Sequence, residues 1–116
     1  LRDVQQKLKE KGYPWEKAKA FDGSCPVSPF VAKSQFGDPQ DTNLKLTVNG
    51  EVRQNESTRL MINRILDLIV VSTSYFSLQP GDILLTGTPA GVKRLQSGDE
   101  LILELAEQYR FETKVD

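Results

Sequence analysis

The segment Gly81-Asp82-Ile83-Leu84-Leu85-Thr86-Gly87-Thr88-Pro89-Ala90-Gly91-Val92 decides how this chain is read. Pro80-Gly81 supplies a fixed φ followed by a permissive one, as a tight turn requires. Ile83-Leu84-Leu85 is a short continuous apolar run of the kind found in a strand covered on both faces. Thr86-Gly87-Thr88-Pro89 then stops that strand, because proline cannot continue a ladder. Two hydroxyls flank a residue without a side chain, so hydroxyls and backbone N–H groups can face outward together and hold a carboxylate. The same residues also suit an ordinary strand-to-loop transition, since Gly and Pro punctuate most loops.

Working back from this segment, Met61, Ile62, Ile65, Leu66, Ile69, Val70 and Thr73 recur at the spacing of a buried helical stripe, with Ser57 and Thr58 as capping residues. They predict the main helix of the chain. Further back, Leu44, Leu46 and Val48 alternate with Lys45 and Thr47, and Asn49-Gly50 predicts a hairpin with a polar return strand, Glu51 to Gln54, along a sheet edge. Working forward, Gly98-Asp99 repeats the Gly-Asp turn without further similarity after it, and Leu101 to Leu105 reads as a strand. Residues 106–108 turn the chain back into alternating Tyr109 to Val115. The N-terminal third is less regular. Arg2 to Lys11 is rich in helix formers, Gly12 ends that helix, and Glu16 to Phe21 allows a turn or so more. Cys25 to Val31, with two prolines, is restricted to an edge strand or an extended segment. The fold class is therefore α+β, mostly β, with one long helix packed on the sheet.

The 116 residues fit a single domain, 1–116, which at this size buries roughly two-thirds of its unfolded surface. Lys+Arg 15 against Asp+Glu 16 leaves a net charge of −1, without the basic excess on which nucleic-acid affinity rests. The single cysteine, Cys25, excludes an internal disulfide and suits a reducing compartment, and it reads as a small buried residue. No apolar run approaches the roughly 20 residues that span a bilayer, so a soluble cytoplasmic protein is the expectation. The absence of histidine removes Ser/His/Asp and Cys/His arrangements within the chain, and Gly87-Thr88-Pro89 lacks the ending of a phosphate-binding loop. No metal motif is present. Chemistry is left to Arg2, Lys19 and the threonine loop. Lys19 lies between alanines beside Phe21, a setting that can lower a lysine pKa, although a lysine in a polar linker is ordinarily just solvated.

Six elements together carry a resemblance: Arg2-Asp3-Val4-Gln5, Gly12-Tyr13-Pro14-Trp15 with Ala18-Lys19-Ala20-Phe21, Ser24-Cys25-Pro26-Val27-Ser28, Val48-Asn49-Gly50-Glu51, and above all Gly81 to Val92. In this order and spacing the chain resembles the fumarylacetoacetate hydrolase family, most closely its acylpyruvase-like members related to isomerases of homoprotocatechuate degradation. The resemblance implies a mixed β-roll, paired subunits, and hydrolysis, decarboxylation or tautomerisation of a 2-oxo acid held on Mg²⁺ or Mn²⁺. It implies that Arg2 and Gln5 lie beside the substrate, that Lys19 assists at the developing enolate, and that Thr88 binds the substrate carboxylate.

The family's metal-binding Glu-x-Glu and aspartate, and the His/Glu pair that activates water, have no counterpart here and would precede Leu1. Lys93 stands where many relatives carry glycine. The resemblance therefore implies the C-terminal part of a catalytic domain, with its metal ligands upstream of Leu1 and the N-terminal part of the same enzyme as partner. The functions that follow are acylpyruvate hydrolase or oxaloacetate decarboxylase/tautomerase, an isomerase or decarboxylase of 2-oxo dienoic diacids, or a non-catalytic dimerisation piece without a metal site.

Overall fold

The computed structural model describes all of residues 1–116 and divides them into two compact units, Leu1–Phe30 and Val31–Asp116. In the first, helix α1 (Arg2–Glu10) carries Asp3 in its first turn and Lys7 and Lys9 in its last, each sign suited to the helix dipole. Gly12 at φ +66° closes α1, where a side chain would be strained. Helix α2 (Glu16–Lys19) is one turn long and packs on α1, burying Ala18 to 1% exposure. Cys25 is exposed, contrary to its reading as a buried residue; it lies at a bend, and residues 26–30 after it belong to no strand or helix.

The second unit opens with a short helix α3 (Lys33–Phe36) and then builds an antiparallel sheet from β1 (Asn43–Val48), β2 (Glu51–Ser57), β3 (Glu100–Leu105) and β4 (Tyr109–Lys114). The spatial order is β2-β1-β3-β4, so β1 and β3 are interior and β2 is an edge, as its polar sequence predicts. Asn49 and Gly50 take φ of 50° and 83° and turn β1 into β2, the left-handed pair that Asn-Gly favours. Every pairing is antiparallel, where the resemblance implied a mixed roll.

Two expected elements differ. The apolar stripe from Met61 to Thr73 is not one long helix. Ser57 caps a single 3₁₀ turn, Thr58–Leu60, by accepting from the Arg59 N–H; Met61 is extended at ψ 135°, and helix α4 runs only from Ile65 to Thr73. Periodicity continues across this break, but a side chain distant in sequence fixes where α4 starts. Gln40 donates through Nε2 to the Thr58 carbonyl and accepts the Ile65 N–H on Oε1, at 2.9 and 2.8 Å, tying the turn before the break to the helix after it. None of α4 is buried, so it is not packed across the sheet either. The second difference is the apolar run Ile83-Leu84-Leu85, which forms no strand and is exposed. The four strands present pair with one another, and none pairs with it.

β2 carries a bulge. Its register with β1 runs Leu46↔Gln54 and then Thr47↔Val52, leaving Arg53 as the additional residue. Gly91 comes against that bulge. At φ +97°, a Cβ on Gly91 would meet the Arg53 carbonyl oxygen at 1.9 Å, so only glycine allows this approach. At the other end of the sheet, the Asp99 carboxylate accepts the Gln96 N–H and the Asn49 Nδ2, both at 2.8 Å, while Asn49 Oδ1 accepts the Glu100 N–H. The β1–β2 turn is thereby fastened to the start of β3.

Two measurements check these contacts. Gly91→Ala is expected to release residues 87–92 from β2, lowering their NMR order parameters and costing about 1–3 kcal/mol in urea denaturation. The Gln96 N–H, and after it Asn49, hold the Asp99 carboxyl below its ordinary value of 3.8. A depressed folded pKa contributes stability above the unfolded value, lost as pH falls through the folded one. Asp99→Asn is therefore expected to flatten the acid limb of the stability profile below pH 3.8, as read by urea midpoints across pH.

Candidate functional site

In the second unit, a cleft of about 510 Å³ opens between β2, the 3₁₀ turn with the break that follows it, α4 and the threonine loop. Leu44, Leu60, Met61, Ile62 and Leu68 make its lining largely apolar, and Glu56, Ser57, Thr58, Asn63, Thr86 and Thr88 contribute polar groups. A mostly apolar cleft with a few polar groups suits a small molecule.

The threonine loop is held by Gln54 of β2. Its Nε2 donates to Thr88 Oγ1 and to the Pro89 carbonyl, each at 2.9 Å. A hydroxyl has one proton and two lone pairs, and an amide donating to one lone pair leaves the proton free to point elsewhere. Thr88 is thus oriented as a donor, the role a carboxylate requires. Thr86 shares the cleft, but no side chain fixes its hydroxyl in this way. Gly87, at φ +111°, takes a backbone path between the two threonines that is unfavourable for other residues.

The other residues singled out by sequence belong to the first unit. Arg2 and Gln5 lie one turn apart on α1, which places them on one helical face. Lys19 ends α2 and is exposed, although its neighbour Ala18 is buried. The structure therefore brings Arg2, Gln5 and Lys19 into one unit, and it brings Thr86 and Thr88 together in the other. No group of three or more His, Cys, Asp or Glu side chains converges anywhere in the chain, and Glu56 is the only carboxylate in the cleft. These residues do not fit a divalent-cation site, which needs several converging oxygens.

Gln54 was absent from the candidates read in the sequence. It sits in a polar strand like its neighbours, and only the bulge one residue earlier turns it toward the loop. Of the apolar cleft residues, Met61 and Ile62 belong to the stripe that the spacing assigns to a buried helix face, and Leu44 to the alternating strand before Asn49. No helix is long and apolar enough to cross a membrane.

The chain is 59% identical over 102 residues to the oxaloacetate tautomerase of Escherichia coli strain K12, a match that covers 87% of this chain and 47% of the relative. A fumarylacetoacetate hydrolase family protein from Yersinia pestis CO92 superposes with a TM-score of 0.95 at 50% identity, covering 99% of this chain and 52% of that one. Fumarylpyruvate hydrolase from Pseudomonas aeruginosa, solved with Mn²⁺ and pyruvate, superposes with a TM-score of 0.90 at 34% identity, over 98% and 49%. The chain spans about half the length of the relatives it matches. The family model for the C-terminal region of fumarylacetoacetate hydrolase matches from residue 1 to residue 116, and the chain belongs to that enzyme family.

Proposed function

We propose that this chain is the acid-holding part of an enzyme that hydrolyses acylpyruvates or decarboxylates or tautomerises oxaloacetate. The observation that carries the reading is the hydrogen bond from Gln54 that leaves the Thr88 hydroxyl free to donate in the lining of a largely apolar cleft. It is supported by similarity to an oxaloacetate tautomerase and to a fumarylpyruvate hydrolase, both named for 2-oxo acid substrates.

The chain's own part in the reaction is binding and charge stabilisation. Thr88 donates to the substrate carboxylate, and the loop's backbone N–H groups add to that hold. Arg2 and Gln5 fix the oxygen-bearing end of the acid. Lys19 places an ammonium near the carbonyl oxygen that gains negative charge as an enolate forms, a charge common to tautomerisation and decarboxylation. In this reading the environment that makes Lys19 effective is completed by polypeptide other than residues 1–116. The same holds for the carboxylates of any Mg²⁺ or Mn²⁺ site and for the group that moves the proton, since the chain's own carboxylates do not converge. Pairing of two subunits belongs to the same reading.

In the enzyme completed with its metal-binding half, Thr88→Val keeps the side-chain shape and removes the donor. KM for oxaloacetate is expected to rise about tenfold, equivalent to about 1.4 kcal/mol, with the melting temperature unchanged. Thr86→Val should have a smaller effect, and equal effects would overturn the assignment. Lys19→Ala in the same enzyme should lower kcat at least tenfold with an unaltered circular dichroism spectrum, because an interaction formed mainly in the transition state is lost. An unchanged kcat would place Lys19 among ordinary solvated lysines.

A further inference from the structure

Asn49 is held through three of its atoms. Its N–H donates to the Glu100 carbonyl at 2.9 Å, its Oδ1 accepts the Glu100 N–H at 2.9 Å, and its Nδ2 donates to the Asp99 carboxylate at 2.8 Å. These bonds fasten a turn that is otherwise open. Asn49 and Gly50 are both exposed, and a Cβ added to Gly50 would meet nothing within 4 Å.

An asparagine side chain can react with the backbone nitrogen of the residue that follows it. Here the Gly50 nitrogen bonds to Asn49 Cγ, the Cγ–Nδ2 bond breaks, and Nδ2 leaves as ammonia with the proton that the Gly50 nitrogen gives up. Solvent water then opens the cyclic imide at either of its two carbonyls, leaving aspartate or isoaspartate at position 49, with nothing oxidised or reduced. A side chain on the attacking residue crowds the approach, and glycine has none. The chain has four asparagines, and Asn49 alone precedes glycine; Leu44, Glu56 and Arg64 follow the other three. What opposes the reaction at Asn49 is the clasp. Cγ must turn toward the Gly50 nitrogen, and an amide bonded at both Oδ1 and Nδ2 cannot turn without giving up both bonds.

We propose that Asn49 is a latent deamidation site, closed while Asp99 and Glu100 hold its side-chain amide and opened when this end of the sheet frays. The change runs one way. The carboxylate it creates would face Asp99 where the amide had donated at 2.8 Å, and two like charges so close oppose reclosing. Isoaspartate also adds an atom to the backbone of a turn whose φ values, 50° and 83°, suit Asn-Gly. The inference concerns a turn within the second unit and holds whichever reaction the enzyme performs.

Peptide mapping by mass spectrometry tests it, on protein aged in mildly alkaline buffer with and without denaturing urea. In urea, Asn49 is expected to convert faster than Asn43, Asn55 and Asn63, and without urea at least tenfold more slowly than in it. Equal rates at Asn49 in the two solutions would overturn the proposal. Asp99→Ala should raise the rate in buffer at least fivefold, whereas Gly91→Ala, which loosens the structure away from the clasp, should leave it within twofold. No acceleration by Asp99→Ala, or equal acceleration by both variants, would overturn the proposal, the second because general loosening would then be the gate. The unaltered protein supplies an arm that does not require Asp99→Ala to fold. Hydrogen exchange at the Glu100 amide, which is bound to Asn49 Oδ1, should show the same protection as deamidation to within about threefold, because one opening frees both. Deamidation that instead follows the exchange of Leu46, midway along β1 and paired on both sides, would overturn the proposal.

Discussion

The second unit depends on β1 being paired along both edges. Its ladder with β2 runs from Asn43 to Val48, and its ladder with β3 from Leu44 to Val48. Thr47 and Val48, at the end where both ladders meet the Asn49–Asp99 clasp, are the most enclosed residues of the strand. Beyond that the enclosure is thin. Ala18 and Val48 are the only buried hydrophobic residues of the chain, one in each unit. A sheet held mainly by backbone hydrogen bonds gains little net stability per bond, because water competes for the same groups. Apolar cover normally supplies the surplus, and here much of the apolar surface remains available to be covered.

Two groups of polar side-chain contacts sit where the ladders end. At one end, Asn49 and Asp99 join the hairpin turn to β3. At the other, Thr42 and Thr58 exchange hydrogen bonds: the Thr42 N–H donates to Thr58 Oγ1 and the Thr58 N–H to the Thr42 carbonyl, each at 2.9 Å. The Thr58 hydroxyl then donates to the Pro39 carbonyl at 2.8 Å. Gln40 extends this clamp to α4, so the helix is positioned by a glutamine rather than by burial. Midway along, the β2 bulge presents the Arg53 carbonyl to Gly91 and the Gln54 amide to Thr88. The candidate site is therefore placed by the irregularity in the sheet, and a regular β2 would turn Gln54 differently.

What the sequence revealed follows from the range over which each signal acts. Asn49-Gly50 and the alternation from Leu101 to Leu105 are local signals, and the turn and strand they specify are present. The helix after Thr58 was placed too early because periodicity is blind to a cap supplied from residue 40. Ile83-Leu84-Leu85 has the composition of a covered strand, but a strand requires a partner, and within residues 1–116 no partner lies beside it. Thr88 is legible as a candidate because Gly and Pro bracket it, and the structure places it in the cleft lining. The contact from Gln54 is not legible, because it depends on a bulge that leaves no mark in composition. Lys19 is a candidate from its alanine and Phe21 neighbours and a stronger one through resemblance, and within its own unit it is exposed.

The threonine loop joins these themes. On its C-terminal side it is pinned, by Gln54 at Thr88 and Pro89 and by the close approach of Gly91 to Arg53. On its N-terminal side it continues from residues 83–85, which carry no ladder. A loop fixed at one end keeps conformational freedom that a bound acid must remove, and that entropy loss weakens binding. The bulge of β2, and not the apolar run that precedes the loop, therefore sets the position of the Thr88 hydroxyl, because both contacts that pin the loop arise at Arg53 and Gln54.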